Sequence, residues 1–159
     1  MNERVKQMDK VDAAVEVGGF IGFQADQWNA RFDMAHDFAD AHNSSLASLS
    51  GGYTFILSPA ATLGLNLSTT YAGAGYMQTY FSVTPQESIR TGFRPYRAGA
   101  GFKDVAATLI GRYSIDKNWG LVGAVQAKGL IGDAADNPIV DSVGSSSQMT
   151  VAVLATYKF

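Results

Sequence analysis

Two histidines are the first residues to weigh for chemistry. His36 has Asp33, Asp37 and Ser44 close by in sequence, and His42 follows. Serine, histidine and carboxylate together can build a hydrolase, because the imidazole takes the hydroxyl proton while the acid orients the ring. No G-x-S-x-G element or other nucleophile context accompanies them. The expected role of His36 is therefore an interfacial ring, and no catalytic residue is assigned. Asp133, Asp136 and Asn137 in GDAADNP are oxygen ligands of the kind calcium takes. Their spacing departs from the D-x-D-x-D-G loop, and carboxylates beside Gly and Pro more often cap turns. AGAGY (72–76) and RAGAGF (97–102) echo phosphate-binding glycine loops. They lack the P-loop lysine and hydroxyl, and no strand-to-helix junction is read around them, so close packing is the expected use of these glycines. The absence of cysteine removes thiol and disulfide chemistry. No enzyme, cofactor or metal is expected.

Composition points the same way. At 159 residues the chain suits one domain, and a net charge of -2 offers nothing to a nucleic acid. Charged residues make up 16%, well under the usual quarter, while 47% are hydrophobic. No apolar run approaches the length of a membrane helix.

The elements that must position these residues are strands, because period-2 alternation dominates. Seven alternating segments are read: 11–23, 28–38, 48–57, 63–71, 104–115, 119–131 and 148–159. Val122 and Leu130 break the alternation of the sixth. The connections alternate in length. ADQ (25–27), SPA (58–60) and DKN (116–118) are tight turns, whereas residues 39–45, about 74–98 and 132–147 are long loops. Short turns at one end and long loops at the other describe an outer-membrane meander. The fold expected is all-β, an antiparallel up-and-down meander forming part of a transmembrane β-barrel, with residues 1–159 as a single partial barrel domain.

Two features select the membrane over a soluble sandwich. On the apolar face, Phe23, Trp28, Phe55, Tyr113, Trp119, Tyr157 and Phe159 gather beside the short turns, as rings do at a lipid interface. Strand charges fall on the other face: Asp12, Glu16, Arg31, Asp33, Asp37, Asp104, Arg112, Lys128 and Lys158. An Arg or Lys facing lipid at the midplane costs roughly 2–4 kcal/mol, whereas one facing the lumen is hydrated or paired. The expected lumen pairings set Asp12 and Glu16 against Arg31 and Asp33, and Asp104 and Arg112 against Lys128. The default reading of these charges is a paired ladder in a narrow lumen; the alternative is a polar pathway for small solutes.

YMQTYFSVTP (76–85), AGFKDV (100–105), DKNWGL (116–121), LIGDAADNPIV (130–140), GSSSQ (144–148) and the terminal YKF resemble the MltA-interacting protein/OmpV family of Gram-negative outer-membrane proteins. The resemblance implies an outer-membrane barrel. It also implies a scaffold joining a murein-degrading lytic transglycosylase to a murein synthase, with membrane lipid and the barrel-assembly machinery as further partners. A small-solute channel or a surface receptor of adhesion type is the alternative. The final TVAVLATYKF is similar to the signal by which barrel-assembly machinery recognises its clients. Residues 1–10 are charged and carry no secretory h-region. Counting back seven strands from a periplasmic C-terminus puts them on the extracellular side, and single-chain barrels have an even strand number. The expectation is that N-terminal strands are missing and that 1–10 is a loop remnant.

Overall fold

In a computed structural model, which describes residues 3–11, 13–39 and 41–159, the alternating segments form one antiparallel sheet. Its strands are β1 (Glu16–Ala25), β2 (Trp28–Asp37), β3 (Ser45–Ser58), β4 (Ala61–Ala72), β5 (Gly101–Ser114), β6 (Trp119–Leu130) and β7 (Ser147–Tyr157), hydrogen-bonded in chain order. Each is 10 to 14 residues long, longer than the usual globular strand. The short turns fall at 26–27, 59–60 and 115–118. Asp26 takes a φ of 50°, which Asp tolerates in a tight turn.

Register keeps the two faces separate across the whole sheet. Ile21 lies opposite Phe32, which lies opposite Leu49, and the row continues through Thr69 and Val105. The neighbouring row runs Ala30, Gly51, Leu67, Ala107, Ala127, Met149. Among the described residues nothing packs on this apolar face: Leu67 is 58% exposed and Val153 is 73% exposed. On the opposite face, hydroxyls and amides meet across strands. Ser48 and Thr70 lie 3.2 Å apart, Asn66 Nδ2 donates to Asn29 at 3.2 Å, and Gln126 Nε2 donates to Thr108 at 3.0 Å.

β1 and β7 are the sheet edges, and with an odd strand number they run in the same direction. Neither edge carries the lysines or prolines that protect exposed edges in water. No helix among the described residues is long and apolar enough to cross a membrane, and the helices present are short. They are α1 (Ala74–Phe81), α2 (Pro85–Thr91) and α3 (Pro138–Val143), all inside segments that alternation reads as plain loops. The buried hydrophobic residues among those described are Ala72, Met77, Val83, Phe93, Ala98 and Ala134, so the core sits at the loop end, outside the middle of the sheet.

Candidate functional site

The loop between β4 and β5 folds back onto the sheet as a cap. Fully buried Met77 of α1 packs with Ala72, Ala98 and Ala134. Leu46 of β3 and Leu130 of β6 close on it from the polar face. Leu130, an exception in the alternation, is thus the seat of the cap. Burying a Met of this kind contributes about 2–3 kcal/mol. AGAGY does span a strand-to-helix junction, contrary to expectation, since β4 ends at Ala72 and α1 starts at Ala74. Its glycines serve packing, as expected: a Cβ at Gly75 would collide with the His42 carbonyl, and one at Gly73 with the Ser44 hydroxyl.

α2 is started by a capping box. Thr84 Oγ1 accepts from Glu87 N at 3.2 Å, while the Glu87 carboxylate accepts from Thr84 N at 2.8 Å. Pro85 fills the first helical turn, and Gly92 ends the helix with a φ of 70°. Residues near the start of the chain lie against this helix: Arg90 pairs with Asp9 at 2.7 Å. Asn137 caps α3 and donates to Phe81 O at 2.8 Å, tying the third loop to the cap.

Beneath the cap lies a cluster of charges on the polar face. A β-bulge opposite Thr70 and Tyr71 leaves Lys103 unpaired in register, and its ammonium turns to the Asp104 carboxylate at 2.6 Å. Lys128 Nζ reaches the same carboxylate at 2.9 Å, which makes the expected Asp104–Lys128 pair into a triad. On the other side of Tyr76, the Asp37 carboxylate accepts from the backbone N–H groups of Val15, Ala39, His42 and Asn43. With its oxygens spent on these donors, it is the fastening of the 38–44 loop. The His42 ring is buried against Tyr76 and Tyr80, with Nε2 3.1 Å from Glu16 and Nδ1 without a hydrogen bond. Burial, with the Glu16 charge next in size, pushes the Tyr76 phenol above its usual value. Tyr76 thus has the His42 ring on one side, itself bonded to Glu16, and the Lys103 ammonium 5.6 Å from its ring centre.

Several expected partners differ. Asp12 falls outside the described residues. Glu16 reaches His42 and stands opposite Asp37, away from Arg31. Arg31 instead pairs with Asp33 two residues along its own strand at 2.6 Å and stacks 3.7 Å over Phe20. Arg112 lies at the turn end beside Thr62 and Val122, far along β5 from Lys128. The reason is spacing: cross-strand partners at one level are fixed by register, which alternation alone leaves open. His36 Nδ1 meets Ser45 Oγ at 2.9 Å with Phe38 edge-on to the ring, and no carboxylate bond to His36 is seen among the described residues. Of the loop carboxylates, Asp133 accepts from Gly99 N at 2.6 Å, a contact between the third loop and the segment that leads into β5. No cluster of three acidic or histidine residues suited to a metal occurs among the described residues.

The aromatics named from sequence stand exposed at the turn end, several in ring contact. Trp119 lies 4.9 Å from Tyr157, which lies 5.0 Å from Phe159, and Trp28 lies 4.8 Å from Tyr53. Phe23, Phe55 and Tyr113 are exposed at the same end. A second group of rings stands at the loop end: Tyr71 with Phe102, and His36, the ring expected at an interface, with Phe38. About ten residues separate the two levels on β5, roughly 33 Å of strand, or about 25 Å of height at a tilt near 40°.

The family model described as MltA-interacting protein MipA matches residues 1–159. No curated protein matches the chain.

Proposed function

The chain belongs to the MltA-interacting protein MipA family, and from that premise we infer a non-enzymatic outer-membrane barrel that scaffolds murein enzymes. In this reading the apolar face lies in lipid, and Phe23, Trp28, Phe55, Tyr113, Trp119, Tyr157 and Phe159 mark the periplasmic interface. Glu16, Arg31, Asp33, Asp104, Arg112 and Lys128 face the lumen. Lipid leaves no water for the unpaired edges of β1 and β7, so each takes an antiparallel partner in the finished barrel. Because those edges run in the same direction, an odd number of further strands closes it.

The observation that supports a scaffold over a pore is the cap. Met77, Leu46 and Leu130 close on the polar face at the loop end, and the Asp104–lysine triad lies directly below. A lytic transglycosylase in the periplasm then meets the short turns: Gln24 to Gln27, Ser58 to Ala60 and Asp116 to Asn118. The test is capture of a purified MltA-type lytic transglycosylase by the complete barrel in detergent. Capture is expected, and it should weaken when the three turns are replaced by Gly-Ser. Capture indifferent to all three replacements, or no capture, overturns the scaffold reading. The neutral hydroxyl and amide rows on the polar face favour a second reading, a small-solute channel, which steady conductance in planar bilayers without enzyme capture would support.

A further inference from the structure

Four arginines surround the cap, and three of them are engaged. Arg4 Nε donates to Thr91 O at 2.7 Å and its guanidinium lies 4.0 Å over Phe93. Arg90 pairs with Asp9, and Arg94 donates to Asp136 O at 3.2 Å. Arg97 has no hydrogen bond, ion pair or ring contact among the described residues. It stands on the wall of a cavity of about 470 Å³ formed where the two halves of the β4–β5 loop meet.

The cavity is held open by rigid parts. Val83 and Tyr96 form a two-residue β-bridge with N–H···O distances of 2.8 and 2.9 Å. Pro85 and Pro95 fix the backbone on either side, and the Tyr96 hydroxyl donates to Asp133 O at 3.0 Å. Burial, then the nearby Asp133 charge, raises the Tyr96 phenol above its usual value and keeps it protonated. These residues give flat apolar walls. Polar capacity comes from Arg97, from the Gln78 amide, which has no partner among the described residues, and from Ser82. The Ser82 oxygen accepts from Ala98 N at 2.9 Å, which leaves its proton free to donate.

We propose that this cavity binds a sugar bearing an oxyanion, a phosphate or a carboxylate, with the anion on Arg97 and the ring along Pro95 and Tyr96. The volume falls within the roughly 300–1,000 Å³ of small-molecule sites. The planar guanidinium fork matches both oxyanions and repels cations. Sugar hydroxyls match Gln78 and Ser82, and a purely apolar ligand would leave all three polar groups unused. The cavity lies at the loop end, opposite the short turns, so the proposal stands independently of the scaffold reading.

Titration calorimetry on the full chain in detergent, with a hexose phosphate, a hexuronate and a neutral hexose, tests it. Both anions are expected to bind and the neutral hexose to show no saturation. Arg97→Gln should weaken the anions about tenfold or more, Arg97→Lys by less, and Arg94→Gln hardly at all. Unchanged Trp119 emission checks that each variant folds. No saturable anion binding, or binding indifferent to Arg97→Gln, overturns the proposal. Repeating the titration in nanodiscs containing a phosphorylated glycolipid distinguishes the source. Unchanged affinity assigns the site to free solutes, and competition assigns it to a lipid headgroup; either supports the oxyanion chemistry.

Discussion

Leu67→Arg is the most direct probe of which face meets lipid. Leu67 lies midway along the apolar face of β4, four residues from Leu63 and four from Tyr71, opposite Gly51 and Ala107. The residue is 58% open to whatever surrounds that face. Removing a leucine from an apolar medium forfeits about 1–2 kcal/mol for that exposed share. Placing Arg at the membrane midplane adds roughly 2–4 kcal/mol. The expected total is about 3–6 kcal/mol. The control is Gln126→Arg on the opposite face, where one neutral hydrogen bond to Thr108 at 3.0 Å is lost, a cost of about 1 kcal/mol. The two substitutions should therefore differ by at least about 2 kcal/mol, or roughly 30-fold in the folding equilibrium. Guanidinium unfolding in lipid vesicles, followed by the emission of Trp28 and Trp119, reads both variants. Equal destabilisation, or a larger effect at Gln126, would refute the assignment of faces.

Two further outcomes follow from the cap and the turns. Asp104→Asn leaves Lys103 and Lys128 adjacent without their shared carboxylate and should cost about 3 kcal/mol. Adding Lys128→Gln should recover part of that loss, measured as a double-mutant cycle on protease resistance of the β4–β5 loop. At the β5–β6 turn, the Trp119 and Asn118 backbone N–H groups hold the Asp116 carboxyl below the usual carboxylate range. A lowered folded value means that this stabilisation is complete above the ordinary Asp range and is lost as pH falls through the lowered value. Proteolysis at residues 115–118 should therefore rise on acidification in the native chain, and Asp116→Asn should abolish that rise.

Much of the fold is legible in the sequence, because the face a strand residue takes depends only on parity. The apolar face, the three tight turns and the aromatic level beside them all follow from alternation and turn chemistry within a few residues. The resemblance carried by GDAADNPIV and YMQTYF likewise agrees with the family the chain belongs to. The cap was not legible. Its helices are six to eight residues long, too short for a 3.6-residue period to stand out against loop composition.

The candidate site depended on tertiary structure for the same reason. Lys103 lies just before the alternating segment 104–115; a bulge turns it onto Asp104, and a bulge is decided by the partner strand. His42 reads as a loop residue until Asp37 collects the backbone N–H groups around it and α1 buries its ring. Arg97 is indistinguishable from its neighbours in sequence, and only the engagement of Arg4, Arg90 and Arg94 leaves it without a partner among the described residues. Local alternation by itself determined which side of the sheet is apolar and where the chain turns. Contacts between residues tens of positions apart decided which charges share a carboxylate, because register, bulges and loop packing are properties of two segments together.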